Sequence, residues 1–148
     1  MDSLSRQLAL IDGSSFTNDE PGRKRICKAA AQLSQRLERP YEKVLRMVYT
    51  DPYLMAAVNT AIEMGLFKQL NGEAQSSSKL AKATGADVQL ISRLLRILGS
   101  CGWVKEVTED AFVGMELSLA AVEDSGMVSA IGHYFDVVAT LAMRLPSF

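Results

Sequence analysis

The chain of 148 residues contains one histidine, His133. A lone histidine acts as a general acid or base only when a reacting group or an orienting partner lies within hydrogen-bonding reach. Tyr134 and Asp136 follow it closely along the chain, but no cysteine, serine or carboxylate constellation surrounds it. We interpret His133 as a structural or surface residue, and the sequence predicts no catalytic residue.

Tyr134, Phe135 and Met143 are the other side chains of the C-terminal region with a shape suited to ligand contact. Aromatic and methionine side chains at helical spacing are more often core residues, so core packing is the favoured interpretation.

Cys27 and Cys101 have neither metal-ligand nor redox spacing. The sequence therefore predicts no metal site and no disulfide.

The stretch from Ser78 to Gly114 has the pattern of a winged helix-turn-helix. The predicted elements are a helix at 79–83, a turn at 84–85, a helix at 88–100, and strands at 103–107 and 111–113 joined by a turn. Gly85 suits the left-handed end of the first helix, and Asp87 suits the N-cap of the second. This motif either reads DNA or holds protein subunits together.

The second helix of the motif distinguishes these two uses. Its apolar residues form two adjacent stripes: Val88, Ile91, Leu94, Leu95 and Leu98, and then Leu90, Leu94, Ile97 and Cys101. Only Arg93 and Arg96 are basic, whereas DNA affinity rests on several neutralised phosphates. The formal net charge of the chain is −1. We predict a buried, architectural helix and no nucleic-acid partner, with a winged-helix DNA-binding regulator kept as an alternative.

The remaining apolar periodicity predicts further helices at 3–11, 23–39, 41–49, 51–66, 115–122 and 127–145. Asp51 is the predicted N-cap of the fourth of these, with Pro52 at its first position. The last helix has a wide apolar face and ends at Pro146. The sequence shows neither a signal peptide nor a run of about 18 apolar residues, so we expect a cytoplasmic protein with no membrane partner.

Residues 40–148 resemble the N-terminal domain of the plant and fungal type S-adenosylmethionine-dependent O-methyltransferases. The resemblance rests on three segments in order: Gly65-Leu66-Phe67, the turn Leu80-Ala81-Lys82-Ala83-Thr84-Gly85, and the helix Arg93-Leu94-Leu95-Arg96-Ile97-Leu98 closing on Gly102-Trp103-Val104. It implies a mainly α fold, a winged helix-turn-helix with a two-stranded antiparallel wing and additional N- and C-terminal dimerisation helices. We expect an N-terminal helical arm at 1–39 and the dimerisation domain at 40–148.

In that family this domain dimerises and covers the substrate pocket of the partner chain, while a Rossmann-like domain binds S-adenosylmethionine. No strand followed by a glycine-rich turn into a helix occurs here, since Gly99-Ser100-Cys101-Gly102 follows a helix. We therefore expect no cofactor for this chain alone, and a homodimer or a heterodimer with a methyltransferase chain. The family pattern Thr-Pro-Leu-Ser is replaced by Met115-Glu116-Leu117-Ser118, so the helix there is expected to start late or to fray.

The resemblance also implies that His133, Tyr134, Phe135 and Met143 lie on the helix that lines the substrate pocket, where an aromatic or polyketide-like molecule would bind. The sequence thus favours a truncated, O-methyltransferase-like module for dimerisation and substrate covering, linked to secondary-metabolite methylation and inactive as a methyltransferase by itself. A non-methylating cyclase or pericyclase on the same domain is an alternative. Whether the chain is itself an enzyme stays open.

Overall fold

The computed structural model describes residues 2–144, which divide into two compact units. The first unit is Met1–Arg46 and is called the arm below; the second is Met47–Phe148. The expected boundary between Arg39 and Pro40 lies before this division. Each unit is described by itself.

The arm contains helices α1 (Asp2–Ala9), α2 (Glu20–Leu37) and α3 (Pro40–Leu45), with a 3₁₀ turn at Gly13–Phe16. Asp12 caps the 3₁₀ turn by accepting hydrogen bonds from the backbone N–H groups of Ser14 (2.9 Å) and Ser15 (3.3 Å). Helix α2 begins earlier than predicted, because Asp19 accepts a hydrogen bond from the Gly22 N–H at 2.8 Å and Pro21 suits the first turn.

The α-helix starts at Asp51 as predicted, but the expected N-cap role of Asp51 is wrong. A π-helical turn at Arg46–Thr50 precedes helix α4 (Asp51–Glu63), and Thr50 has helical φ and ψ angles of −65° and −54°. Asp51 is therefore inside a helix instead of capping it. Pro52 lacks an N–H donor, which a regular α-helix would require from it, and the wider turn lies where that hydrogen bond is missing.

The winged motif has the predicted elements. Helix α5 (Leu66–Gln69) leads to α6 (Ser77–Thr84), α7 (Val88–Ser100), β1 (Val104–Thr108) and β2 (Ala111–Gly114). Gly85 has a φ of 71° at the end of α6. Asp87 caps α7 by accepting hydrogen bonds from the N–H groups of Gln89 (2.9 Å) and Leu90 (3.1 Å).

The wing is an antiparallel pair in which Val104 lies opposite Gly114. Gln75 extends it by exchanging two backbone hydrogen bonds with Phe112, at 2.8 and 2.9 Å. Within the wing, Asp110 adopts a φ of 51°, and its carboxylate accepts a hydrogen bond from the Ser77 N–H at 3.2 Å. The wing is thus fastened to the segment before α6.

One hydrophobic core, called the winged core below, joins these elements. Its buried residues are Ala57, Val58, Ala61, Leu66, Phe67, Leu70, Leu80, Ala81, Ile91, Leu94, Leu95, Leu98, Trp103, Val104, Phe112 and Ala121. Trp103 stacks on Phe67 with ring centroids 5.3 Å apart. Burying one such large side chain stabilises the fold by about 1.5–3 kcal/mol. Val88 and Leu90 were expected to be buried and are exposed, because they lie on the first turn of α7, beyond the core.

Helix α8 (Glu116–Glu123) begins one residue after Met115, which has extended backbone angles and supplies no side-chain cap. The fully buried Ser118 hydroxyl instead donates to the Met115 carbonyl at 2.8 Å. The absence of a cap follows from the methionine. The helix nevertheless starts directly after Met115, so the expected late start or fraying is wrong.

The last helix runs from Ser125 to Arg144 and comprises α9 (Ser125–His133), a π-helical turn (Tyr134–Ala139) and α10 (Thr140–Arg144). Leu145 and the predicted stop at Pro146 lie outside the described residues. Contrary to the expectation from the sequence, this helix is long and apolar enough to cross a membrane, by length and composition only.

Candidate functional site

The last helix carries every residue that the sequence analysis proposed for a substrate pocket. Asp124 begins it by accepting hydrogen bonds from the N–H groups of Gly126 (2.8 Å) and Met127 (3.2 Å). Half-buried Met127 and Ile131 pack against the winged core. The first half of the helix is therefore held against that core, and the second half projects its apolar side chains outward.

Tyr134 and Phe135 are the pair that the structure brings together. Their ring centroids are 5.5 Å apart at an interplanar angle of 84°, an edge-to-face contact. Both lie on the π-helical turn, a distortion that is frequent at functional sites. Tyr134 is exposed and Phe135 is half-buried, so the pair offers one aromatic surface to a partner or ligand.

His133 and Met143 flank this pair without joining it. His133 ends α9 with an exposed side chain that makes no hydrogen bond or ion pair within residues 2–144. Met143 lies on α10, beyond the π-helical turn, and is 84% exposed. The arrangement offers shape and apolar contact and contains no assembled acid–base pair, and its role in substrate binding remains a prediction.

A cavity that the sequence analysis missed lies at the start of the last helix. It has a volume of about 360 Å³ and is bounded by α4, α5, α8 and α9. Phe67 and Val128 contribute apolar walls, and Lys68 and Ser129 contribute polar groups. The other lining residues include Ala61 and Gly65, and such gaps between helices leave no periodic signal in a sequence.

The arm contains a larger open groove, called the arm groove below, of about 1040 Å³. Its apolar lining comes from α1, the 3₁₀ turn and α2: Leu8, Ile11, Phe16, Ile26, Ala29, Ala30, Leu33 and Leu37. The apolar periodicity of α2 predicts the residues that this helix contributes to the groove. Periodicity does not show whether another element covers them.

Charged residues on the arm are paired with one another. The Arg23 guanidinium lies 2.6 Å from Glu20 and lowers the pKa of that carboxyl by hydrogen bonding. Arg46 lies 2.9 Å from Glu38 and lowers its pKa in the same way. A hydrogen bond from the Ser14 hydroxyl, together with backbone N–H groups, lowers the pKa of Asp12. These carboxylates hold the local turns of the arm in place.

The exposed face of α7 carries Arg93 and Arg96 beside exposed Val88 and Leu90. A recognition helix in the major groove presents polar and basic side chains, whereas the exposed residues of α7 include only two basic ones beside the apolar Val88 and Leu90. Within residues 2–144, no group of three or more His, Cys, Asp or Glu residues could hold a metal ion.

The segment Gly99–Gly102 contains two glycines but lacks the position of a cofactor loop. It ends α7 and precedes β1, so it does not connect a strand to a following helix. The sheet of the described residues has two antiparallel strands and no parallel pair. A Rossmann-type cofactor site has a strand that leads through a glycine-rich turn into a helix N-terminus. The described residues contain no such arrangement.

Residues 49–119 match the family model of the O-methyltransferase dimerisation domain. The chain is 28% identical to O-methyltransferase lepI of Aspergillus flavus, with 100% of this chain and 38% of that protein covered. It is 27% identical to O-methyltransferase okaF of Penicillium ochrochloron, with 100% and 37% covered. The chain therefore spans little more than a third of the length of these relatives.

Two solved structures share this architecture. A LepI complex with SAM has a TM-score of 0.86 at 28% identity, with 99% of this chain and 38% of that chain covered. A structure described as a pericyclic reaction enzyme has a TM-score of 0.86 at 29% identity, with the same coverage. The matched family region, 49–119, contains the winged motif and ends in α8.

Proposed function

We propose, from the match of residues 49–119 to the O-methyltransferase dimerisation domain, that the chain acts as a dimerising, substrate-covering module in secondary-metabolite methylation. Its partner is either a second copy or a methyltransferase chain that carries the cofactor-binding domain. The curated relatives include a demethylsterigmatocystin 6-O-methyltransferase of Aspergillus flavus, which supports a small-molecule pathway.

The observation that carries this proposal is the outward apolar face of the last helix. Tyr134, Val138 and Leu141 lie along it and are exposed, although the winged core beneath the helix is closely packed. Exposed apolar side chains that lie along one face mark an interface. Each Å² of apolar surface that association removes from water contributes roughly 25 cal/mol to binding. A dimer seam on the last helix accounts for this face.

Light scattering coupled to size exclusion, at several protein concentrations, tests the dimer. We expect a mass that approaches twice the chain mass of 16.2 kDa as concentration rises. If the chain alone stays at 16.2 kDa, the same measurement with a methyltransferase chain present tests the heterodimer. A strictly monomeric chain under both conditions would overturn the proposal.

For the cofactor, we propose that this chain alone neither binds S-adenosylmethionine nor transfers a methyl group from it. This is supported by the position of the glycine-rich segment, which follows a helix, and by the wing, which provides no parallel strand. Calorimetric titration with S-adenosylmethionine is expected to give no binding heat. Turnover of the cofactor by the purified chain would refute this part of the proposal.

For the substrate, we propose a flat aromatic or polyketide-like molecule that contacts Tyr134 and Phe135, with His133 and Met143 at its edges. Their edge-to-face pair already presents an aromatic surface, and stacking a ring on such a surface contributes about 0.5–1.5 kcal/mol. Replacing Phe135 by Ala is expected to weaken the binding of a fluorescent polyphenol. Thr140→Ala, on the other face of the same helix, is the matched control, and equal losses in both variants would contradict the site.

A pericyclase is the second candidate function, and one observation favours it. The structure described as a pericyclic reaction enzyme shares 29% identity and the fold over 99% of this chain. Pericyclic steps need a shaped apolar pocket more than reactive groups, which agrees with a site that lacks an acid–base pair. Incubation with a reactive polyene precursor, with and without the chain, separates the two functions, because only a pericyclase changes the product profile.

We also propose a cytoplasmic location with no membrane partner. The apolar last helix is explained by a dimer seam as well as by a membrane. Cell fractionation followed by an alkaline carbonate wash distinguishes these explanations. Recovery in the washed membrane pellet would overturn the proposed location, and recovery in the supernatant supports it.

A further inference from the structure

The cavity at the start of the last helix is formed by the second unit alone. Its lining residues belong to α4, α5, α8 and α9 and to the turns between them, and all of them lie within Met47–Phe148. The position of the arm therefore does not determine its walls. Its volume of about 360 Å³ lies at the lower end of the range for small-molecule pockets and suits a small ligand.

The buried part of the lining is apolar and closely packed. Ala61, Phe67 and Ala121 are 0%, 2% and 6% exposed, and Phe67 is held by its stack on Trp103. Half-buried Val128 completes the apolar surface. Because these side chains are already fixed by the winged core, an apolar group that enters the cavity leaves water without requiring the site to rearrange.

The charged groups of the lining have opposite signs and are unpaired. Lys68 lies on α5 and Glu123 ends α8, and both are exposed. Within residues 2–144, neither side chain takes part in an ion pair or a hydrogen bond. The neighbouring carboxylates are engaged, since Glu63 accepts a hydrogen bond from Asn59 at 2.9 Å and Asp124 caps α9. One cation and one carboxylate are thus left for a ligand.

Two serine hydroxyls at the cavity are also without an acceptor in the described part of the chain. In α7, Ser92 and Ser100 donate to carbonyls of their own helix at 3.0 and 2.8 Å. Ser125 and Ser129 of α9 line the cavity and make no such bond. A hydroxyl that does not return to its own helix is available to water or to a ligand.

We propose that this cavity binds a free α-amino acid with a large apolar side chain. The side chain lies against Phe67 and Val128, the carboxylate pairs with Lys68, and the ammonium group pairs with Glu123. A zwitterion supplies one partner to each unpaired charge, whereas a simple carboxylic acid would bring a second negative charge towards Glu123. This ligand site goes beyond the proposed function and involves neither residue of the aromatic pair on the last helix.

Titration of the whole chain with L-leucine, followed by amide NMR signals at neutral pH, tests the site. The signals of Gly65, Lys68 and Ser129 are expected to shift saturably, with a dissociation constant on the order of 1 mM for so small a ligand. N-acetyl-leucine lacks the ammonium group, leucinamide lacks the carboxylate and glycine lacks the side chain. Each is expected to bind more weakly, by about twofold or more. Binding of N-acetyl-leucine as tight as that of leucine would overturn the proposal.

Two charge variants assign each end of the ligand. Lys68→Gln and Glu123→Gln are each expected to raise the dissociation constant of leucine about two- to fivefold. Lys68→Gln should also remove the preference for leucine over leucinamide, and Glu123→Gln the preference for leucine over N-acetyl-leucine. Lys79→Gln and Glu116→Gln change exposed residues outside the cavity and are the matched controls. Equal losses in the controls would overturn the assignment.

A blocking variant tests the cavity without removing a buried side chain. Ser129→Trp places an indole at the exposed rim and is expected to abolish the saturable shifts, whereas Ala130→Trp, beside the cavity, is expected to leave them unchanged. Leucine binding that survives Ser129→Trp would overturn the proposal, as would the absence of saturable shifts up to about 50 mM leucine. The dimer is measured by mass, so failure of this site leaves the proposed function standing.

Discussion

The arm and the winged core are built from the same kind of amphipathic helix with opposite outcomes. Helices α2 and α7 both begin at an aspartate that caps the backbone, Asp19 and Asp87. In α7, Ile91 is fully buried, whereas Ile26 in α2 is 44% exposed. The comparison teaches that a capped apolar stripe specifies which face of a helix will be covered. It does not specify whether the chain itself or a partner covers it.

The largest expected effect tests this contrast with one leucine from each region. Leu95→Ala removes a fully buried side chain of the winged core and is expected to lower the free energy of unfolding by about 2–5 kcal/mol. Leu37→Ala removes a side chain of the arm that is 72% exposed and is expected to cost less than about 0.5 kcal/mol in the monomer. Urea unfolding of both variants measures the difference.

Those two values must be measured at a concentration where the chain is monomeric, because dimerisation would add stability to the arm. Similar losses in both variants would mean that the arm is already covered within one chain. The contrast between the two regions would then disappear.

A smaller effect is expected at the uncapped start of α8 in the winged core. Met115 has φ and ψ angles of −102° and 175°, the extended geometry of an N-cap residue. Met115→Thr supplies the missing acceptor and is expected to raise the free energy of unfolding by about 1 kcal/mol. Met115→Val has nearly the shape of threonine without its hydroxyl. If the valine variant gained as much stability, side-chain entropy or packing would be responsible instead of capping.

The smallest effect is expected from pH and should be confined to the arm. Hydrogen bonding to Arg23 and to Arg46 holds the pKa values of Glu20 and Glu38 below their usual 4.5. A carboxyl with a lowered folded-state pKa contributes stability above its unfolded-state pKa, and that contribution is lost as the pH falls through the folded-state value. Below about pH 4.5, the protection of amide hydrogens in the arm, corrected for the intrinsic exchange rate at each pH, should therefore fall before that in the winged core.

Glu38→Gln removes one of these titrating groups and is the matched control for the pH series. It is expected to weaken the pH dependence of exchange near Arg46 while leaving α7 unchanged. Acceleration of equal size in both regions would show that general acid unfolding, not the arm's own ion pairs, determines the profile.

The winged core was predictable because local chemistry determines its boundaries. Gly85 and Asp87 each have one structural solution, a left-handed turn and an N-cap, and the structure has both. The helical turn before Asp51 was not predictable, because the same cap-and-proline pattern also fits inside a helix when a wider turn precedes the proline. The sequence pattern of Asp19 and Pro21 resembled a loop and is a helix start.

The candidate site was only partly accessible to sequence reasoning. The contact between Tyr134 and Phe135 depends on the π-helical turn, and periodicity assumes a regular helix. The sequence could place His133 and Met143 on the same helix, but the distance between them and the aromatic pair depends on backbone geometry. The arm groove and the apolar face of the last helix were not predictable for another reason. A hydrophobic pattern shows which face of a helix is apolar. It does not show whether another element covers that face.

The pairing of Gln75 with Phe112 has a consequence for aggregation. A two-stranded sheet has two outer edges, and each unpaired edge can accept a strand from another molecule. Here Gln75 occupies both the N–H and the carbonyl of Phe112, at 2.8 and 2.9 Å, so a foreign strand finds the middle of β2 already taken. Extension of the sheet by a foreign strand is thereby blocked at this edge of β2.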